Sequence, residues 1–345
     1  MNKSVTILTG FLGAGKTTFL NHLLEKNKDT RYAIIENEFG EQGIDNELVL
    51  RPDETIVELN NGCLCCTLND NLYDILNELH ERKDEFDEVI IEATGVADPT
   101  GLAEPFISHP LIKKHFPLNA IVCLIDAELV EDHLKETEEA INQISYSDVL
   151  LINKIDLVSE KYLSSLENTL RELNPLAKVL KGQIGQFPIL EKNFNTNEKL
   201  ENILHSHSHS HSHPTAHEHK ADELNFPVHK PHAHHHHKHT KEIHSLTFTF
   251  DSPFDFNILH HQLMVYLIFQ SQGLYRIKGL IWFENKEEQY ILQSVGKRLD
   301  LQAKRAWNIS DIKKSTIVFI GKSLPKEGLQ KLLDRCLAKT KSTVN

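Results

Sequence analysis

The sequence is short of positive charge. Its 345 residues hold 37 Lys and Arg against 49 Asp and Glu, a formal charge of −12. A nucleic-acid binder needs net basic surface to neutralise phosphates, so that class is set aside. Long apolar runs are missing too: none approaches the ~18 residues that a membrane span requires. The first stretch, MNKSVTILTG, runs on into glycines and a lysine with no small-residue cleavage site. It reads as a strand, not a signal peptide. Cysteine is scarce, five in all, and three are crowded together as Cys63, Cys65 and Cys66. This is no secreted disulfide framework; it fits a cytoplasmic chain with a thiol or metal site.

Histidine is the abundant residue. There are 22, of which 15 lie between His205 and His244. Charge is uneven as well. Residues 244–345 carry 15 basic and 9 acidic side chains, a balance of +6, whereas residues 1–243 carry 22 and 40, a balance of −18. Two parts of opposite sign can dock on each other or on a partner.

Periodicity divides the chain into three. Val5–Thr9, Tyr32–Glu36, Thr55–Leu59, Glu88–Glu92, Ala120–Asp126 and Asp148–Asn153 are short apolar runs. Helical patterns over Thr17–Lys26, Leu68–Leu79 and Tyr162–Leu173 fall between and after them. Near-continuous apolar strands alternating with helices predict an α/β domain over 1–190, a doubly wound, mostly parallel sheet. Residues 191–243 are polar and unpatterned and predict a disordered His-rich linker. From His244 a strand (HSLTFTF), a helix (Phe256–Phe269), strand candidates at Tyr275–Phe283, Gln289–Val295, Leu299–Ala306 and Thr316–Ile320, and a last helix (Leu324–Leu337) predict a small α+β domain over 244–345.

Residues 10–17 fit G-x-x-x-x-G-K-[ST] at every fixed position: Gly10, Gly13, Gly15, Lys16 and Thr17. Glycines let backbone N–H groups curl around phosphate oxygens, and the following helix points its positive end at the same charge. Lys16 would reach the β- and γ-phosphates, and the Thr17 hydroxyl would hold Mg²⁺. Ala14 and Thr18 complete the nucleotide-binding stretch. Asn153-Lys154-Ile155-Asp156 ends a later strand, at the edge that faces the ligand crevice of such a sheet. The Asp156 carboxylate can accept two hydrogen bonds from guanine, which adenine cannot offer, so the ligand expected is GTP. Glu92-Ala-Thr-Gly95 also ends a strand. Glu92 there can orient water or support Mg²⁺, and the Gly95 N–H can meet a γ-phosphate. Lys16, Glu92 and Gly95 are the catalytic candidates.

Asn61-Gly62-Cys63-Leu64-Cys65-Cys66 follows a strand and opens a helix. Thiols there are thiolate-rich and select ions such as Zn²⁺. A further ligand must come from elsewhere, and the acids of Glu36-Asn37-Glu38-Phe39-Gly40-Glu41 are candidates. In the linker any three or four imidazoles can wrap one ion, with His207, His209, His211, His235 and His237 as representatives. Against this stands a plain solvated linker. Asp126 and His109 are read as structural, Trp282 and Trp307 as core or interface aromatics, and Cys123 and Cys336 as buried and inert.

Together GFLGAGKTT (10–18), ENEFGE (36–41), NGCLCC (61–66), EATG (92–95) and NKID (153–156) resemble the CobW-type family of P-loop GTPases. This is the metal-handling group that includes CobW, YjiA and the zinc-regulated GTPase metalloprotein activators. ENEFGE and KGLIWFE (278–284) resemble the YjiA-type branch in particular. The resemblance implies a GTP-dependent metallochaperone that holds Zn²⁺ on Cys63, Cys65 and Cys66, with Glu36, Glu41 and Glu38 as auxiliary ligands. It implies that hydrolysis releases the ion to a client metalloprotein, and it admits a GTP-dependent homodimer. No arginine finger adjoins the motifs, so slow intrinsic turnover is expected. Two other readings stay open: a Co²⁺ or Ni²⁺ insertase for cofactor or enzyme maturation, and a His-rich metal store.

Overall fold

The computed structural model describes residues 2–36, 56–58, 68–95, 97–183, 187, 243–308 and 311–338. Seven strands form the first sheet: β1 (Ser4–Gly10), β2 (Tyr32–Glu36), β3 (Ile56–Glu58), β4 (Glu88–Glu92), β5 (Leu118–Asp126), β6 (Val149–Asn153) and β7 (Lys178–Lys181). Their spatial order is β3-β2-β4-β1-β5-β6-β7, and each pairing is parallel. The central strands are buried on both faces, which is why EVIIE and AIVCLID read as continuous apolar runs. One face packs Ile7, Ile35, Ile91 and Phe106; the other packs Leu8, Phe19, Leu20 and Leu151.

Helices α1 (Lys16–Lys26), α2 (Leu68–Glu81) and α7 (Glu160–Leu173) stand where the apolar spacing places them. Four helices without a sequence counterpart fill the gap between β4 and β6: α3 (Pro99–Ser108), α4 (Pro110–His115), α5 (Val130–Glu136) and α6 (Glu138–Tyr146). Their start signals were available. Asp98 accepts from Thr100 N at 2.9 Å ahead of Pro99, and Thr137 accepts from Ala140 N at 3.3 Å ahead of two glutamates. Strand β7, KVLK, is a short edge strand with little apolar content and was also missed.

The second sheet is antiparallel: β8 (Ile243–Phe250), β9 (Leu274–Ile281), β10 (Glu288–Val295), β11 (Arg298–Ala306) and β12 (Ser315–Lys322), in the order β11-β10-β9-β12-β8. Helices α8 (Phe256–Phe269) and α9 (Lys326–Asp334) cover it over a core of Phe254, Leu263, Phe283 and Phe319. The α+β expectation therefore holds here. Trp282 and Trp307 lie half-buried beyond the ends of β9 and β11 and are not core residues.

The two parts meet through apolar contact, Leu176 against Val318 and Ile320, and through charge. Asp148, just before β6, is buried against Arg276 (Nη2–Oδ1 2.6 Å) and Lys278 (Nζ–Oδ1 2.7 Å) of β9. Its Oδ2 accepts from Ile121 N at 3.0 Å. Burial pushes the Asp148 carboxyl up, but the Arg276 and Lys278 charges and their hydrogen bonds overcome it and hold the group well below the usual carboxylate range. Glu104–Arg298 and Glu138–Lys322, both at 2.8 Å, repeat the same polarity at the surface, while Lys113–Asp300 reverses it. The acidic-to-basic asymmetry of the sequence is thus realised as a domain contact. Exposed pairs of this kind contribute little; the buried triad is where the specificity of the contact lies.

Candidate functional site

In a parallel sheet all strand carboxyl ends fall on one edge, so loops distant in sequence converge there. Residues 10–15 leave β1 at this edge, and Gly10, Gly13 and Gly15 all take positive φ. Gly15 shows why the position is selective. Its φ is +96°, and a Cβ would stand 2.5 Å from Asn153 Nδ2. Gly15 also caps α1 without a side-chain hydrogen bond, so no side chain competes for the first-turn N–H groups at the positive end of the helix.

Lys16 is buried and donates to the carbonyls of Gly10 (3.0 Å) and Phe11 (3.4 Å). Burial lowers its pKa, and the nearby Glu92 and Cys123 act against that shift. Thr17 Oγ1 donates to Glu92 Oε1 at 3.2 Å, joining the phosphate loop to the end of β4. Gly95 lies against the loop from the same side. A Cβ there would meet Leu12 N at 2.6 Å, so only glycine allows the approach. Asn153 donates to the Ala14 carbonyl at 2.9 Å and fixes the loop to the end of β6. Lys154 takes φ 59° and pairs with the buried Asp126 at 2.7 Å. Asp126, read from sequence as structural, thus positions the NKID turn; its other oxygen accepts from Glu128 N at 3.0 Å. Asp156 is exposed in the short turn Ile155–Leu157. Phe11 stacks on His133 of α5 with centroids 3.8 Å apart, a contact that the sequence did not signal.

Among the described residues three polar atoms around this loop, Thr9 Oγ1, Thr94 Oγ1 and Asn153 Oδ1, are buried without a hydrogen-bond partner. Orphan polar atoms, a glycine cradle and an uncapped helix start are what a phosphate-bearing ligand satisfies. The neighbouring Thr17 hydroxyl and Glu92 carboxylate are hard oxygen donors, which suits Mg²⁺.

The bland readings stand at three positions. His109 caps α4 through Nδ1, accepting from Ile112 N at 3.4 Å. Burial pushes the Cys123 thiol up to about 12 and the Cys336 thiol up to about 11. Cys63, Cys65, Cys66, Glu38, Glu41 and the linker residues His207, His209, His211, His235 and His237 lie outside the described residues, as does the side chain of Glu36. Thr18 is the third residue of α1. Among the described residues no group of three or more His, Cys, Asp and Glu is placed to hold a metal ion. A cleft of about 400 Å³ beside the NKID turn, lined by Glu128, Glu131, Asp132 and Tyr162 among others, is acidic and suits no phosphate. No helix in the described residues is long and apolar enough to cross a membrane.

The CobW/HypB/UreG nucleotide-binding domain matches residues 4–181, and the cobalamin synthesis protein CobW C-terminal domain matches residues 243–337. The chain belongs to the CobW/HypB/UreG family. Among its relatives, "Zinc chaperone YjiA" of Escherichia coli is 31% identical over 333 residues, covering 95% of this chain and 96% of that one. "Zinc-regulated GTPase metalloprotein activator 1" of Schizosaccharomyces pombe is 39% identical over 211 residues, 58% of this chain and 51% of that one. "Zinc chaperone CobW" of Pseudomonas aeruginosa is 29% identical and covers 97% of this chain and 91% of that one. The fold is also that of the Zn(II)-bound YjiA GTPase crystal structure from E. coli, with a TM-score of 0.65, 28% identity, and coverage of 98% and 100%. A Zn(II)-bound YjiA variant in which one glutamate and two adjacent cysteines are alanine matches with the same score. Family membership therefore accounts for the P-loop fold and for the C-terminal antiparallel-sheet domain.

Proposed function

We propose that this protein is a GTPase metallochaperone that carries Zn²⁺ and releases it to a client metalloprotein when GTP is hydrolysed. The GTPase part rests on the family, on the YjiA relative and on the loop geometry. Lys16 is within reach of the loop that takes the β- and γ-phosphates, and its ammonium exchanges the Gly10 and Phe11 carbonyls for phosphate oxygens. Asn153 holds the loop, and the Asp156 carboxylate reads the guanine edge. Ala14 and Thr18 contribute backbone and first-turn contacts. Thr17 and Glu92 would hold Mg²⁺, which would neutralise charge on the transferring phosphoryl group. Water attacks the γ-phosphorus, the bond to the β-phosphate oxygen breaks, and GDP and inorganic phosphate leave. The Gly95 N–H meets the γ-phosphate and is released with it.

The observation that carries the metal half of the proposal is a register. Glu36, at the end of β2, is the ladder partner of Glu92, at the end of β4. β3 lies beside β2 in the same parallel sense, so the segments following both strands leave at the edge that carries the phosphate loop. The segment after β2 holds Glu38 and Glu41, and the one after β3 holds Cys63, Cys65 and Cys66. Both segments start from the strand edge that β4 shares and that leads into the Gly95 segment, so a metal held by them can be coupled to a two-state element biased by hydrolysis. The same spacing occurs in YjiA, where the altered glutamate and the first altered cysteine are 29 positions apart, as Glu36 and Cys65 are here; that variant is still Zn(II)-bound, so YjiA also holds zinc outside these three side chains. The linker histidines are proposed as a secondary metal reservoir. Replacing Cys65 and Cys66 together by serine tests the site. Zn²⁺ affinity should fall while GTP turnover without metal persists; retained affinity would reject the thiol site.

A further inference from the structure

The region between the phosphate loop and the second domain contains one side chain that the nucleotide chemistry does not account for. Gln143, in the middle of α6, is almost fully buried at 1% exposure. Its Nε2 donates to the carbonyls of Gly95 (3.1 Å) and Ala97 (3.2 Å). These are the residues at and just beyond the end of the EATG stretch. A buried amide that gives both N–H groups to loop carbonyls two residues apart fixes those two points of the loop. The neighbouring Asn142 adds a longer bond to Asp98 at 3.4 Å, and Asp98 is the cap of α3.

Both ends of α6 are held by the C-terminal domain. At its start, Glu138 accepts from Lys322 of β12 at 2.8 Å. At its end, Arg276 of β9 donates to the Tyr146 carbonyl with Nη1 and to Asp148 with Nη2, the latter at 2.6 Å. The last turn is closed further by Asn174, whose amide donates to the carbonyls of Ile144 and Ser147 at 2.8 Å. Ser147 Oγ donates back to the Gln143 carbonyl at 2.6 Å. α6 is therefore a short strut with its ends on one domain and its middle on the Gly95 loop of the other. The geometry points to Gln143 as a positioning residue for GTP hydrolysis, acting through Gly95, with α6 linking the C-terminal sheet to the γ-phosphate side of the site.

This inference rests on the GTPase reading above. The wild-type turnover measured in the same series separates the two failures: an inactive wild type rejects the GTPase reading, whereas an active wild type isolates the role of Gln143. The test is steady-state GTP hydrolysis, and binding of GDP and of a non-hydrolysable GTP analogue, by Gln143→Met in the full chain, with thermal unfolding as a check on folding. Loss of two neutral hydrogen bonds to the loop should lower kcat about 10-fold or more. KM for GTP should stay within about 2-fold, since the base and β-phosphate contacts are untouched, and the preference for a non-hydrolysable GTP analogue over GDP should shrink. A purely structural glutamine would leave that preference unchanged. A folded Gln143→Met with wild-type kcat and wild-type preference overturns the proposal. Arg276→Lys is the second variant, and decides if Gln143→Met does not fold. It keeps a cation beside Asp148 but gives up the bond to the Tyr146 carbonyl. It should lower kcat about 3-fold with KM unchanged; an unaltered kcat overturns the link to the C-terminal domain.

Discussion

Asp148→Asn is the substitution that most directly tests how the two domains are held together. The carboxylate is buried and shared by Arg276 at 2.6 Å and Lys278 at 2.7 Å, both buried themselves. Asparagine keeps the shape and can still accept from Ile121 N, but it removes the one negative charge that, among the described residues, pairs with the two buried cations. Breaking a buried pair from one side costs about 3–5 kcal/mol. At about 2–4 °C per kcal/mol for a domain of about 150–250 residues, the size of the first domain, the melting temperature of that domain should fall by roughly 6–20 °C. Circular dichroism during thermal and urea unfolding reads this. Replacing all three residues together (Asp148→Leu, Arg276→Met, Lys278→Met) should recover much of the loss, because no unpaired charge stays buried. The sign with pH follows from the depressed Asp148 pKa. Its stabilisation is complete above the unfolded carboxylate value of about 3.8 and is lost as pH falls below that. The wild type should therefore lose stability on acidification over a range where Asp148→Asn has no such contribution to lose. If the single variant melts within 2 °C of wild type, about 0.5–1 kcal/mol, Asp148 does not compensate the two buried cations.

Four further outcomes follow. Lys16→Gln should lower GTP turnover about 100-fold or more, read by phosphate release, since one charged donor is lost from the developing phosphoryl charge. Gly15→Ala places a methyl group 2.5 Å from Asn153 Nδ2 at φ +96° and should weaken nucleotide binding at least about 10-fold by calorimetry. Asp156→Asn should cost about 2–3 kcal/mol of GTP affinity and erase the preference over ATP, measured by competition. In chelator-treated native protein, a thiol reagent should titrate three of the five cysteines quickly. Cys123 and Cys336 should react only on denaturation, because burial has pushed their thiols up to about 12 and 11.

Most of the strands were legible because burial on both faces leaves an apolar run that composition alone reveals. Tyr32–Glu36, Glu88–Glu92 and Phe256–Phe269 are found with the ends that the pattern predicts. The four helices α3–α6 were not read: α4 and α5 are short and bury only one or two apolar residues each, Pro99 and Pro105 interrupt the helical pattern of α3, and the buried Gln143 and Ser145 interrupt that of α6. Their evidence was chemical and lay in the caps at Asp98 and Thr137. The phosphate loop was legible residue by residue, as backbone geometry restricts it to glycine. Asp126, Gln143 and Asp148 were not legible as working residues. A buried polar side chain has meaning only through partners brought from elsewhere: Lys154, the Gly95 loop and Arg276. The charge split between the two halves gave the sign of the domain contact but not its residues.

The central claim is that nucleotide state and metal binding are coupled through the shared strand edge. The measurement is Zn²⁺ affinity of the full chain by competition titration, with GDP and with a non-hydrolysable GTP analogue, each with Mg²⁺ present. An affinity difference of at least about 5-fold between the two nucleotides is expected, abolished in Cys65→Ser/Cys66→Ser. Equal affinity with both nucleotides in the wild-type protein would contradict it.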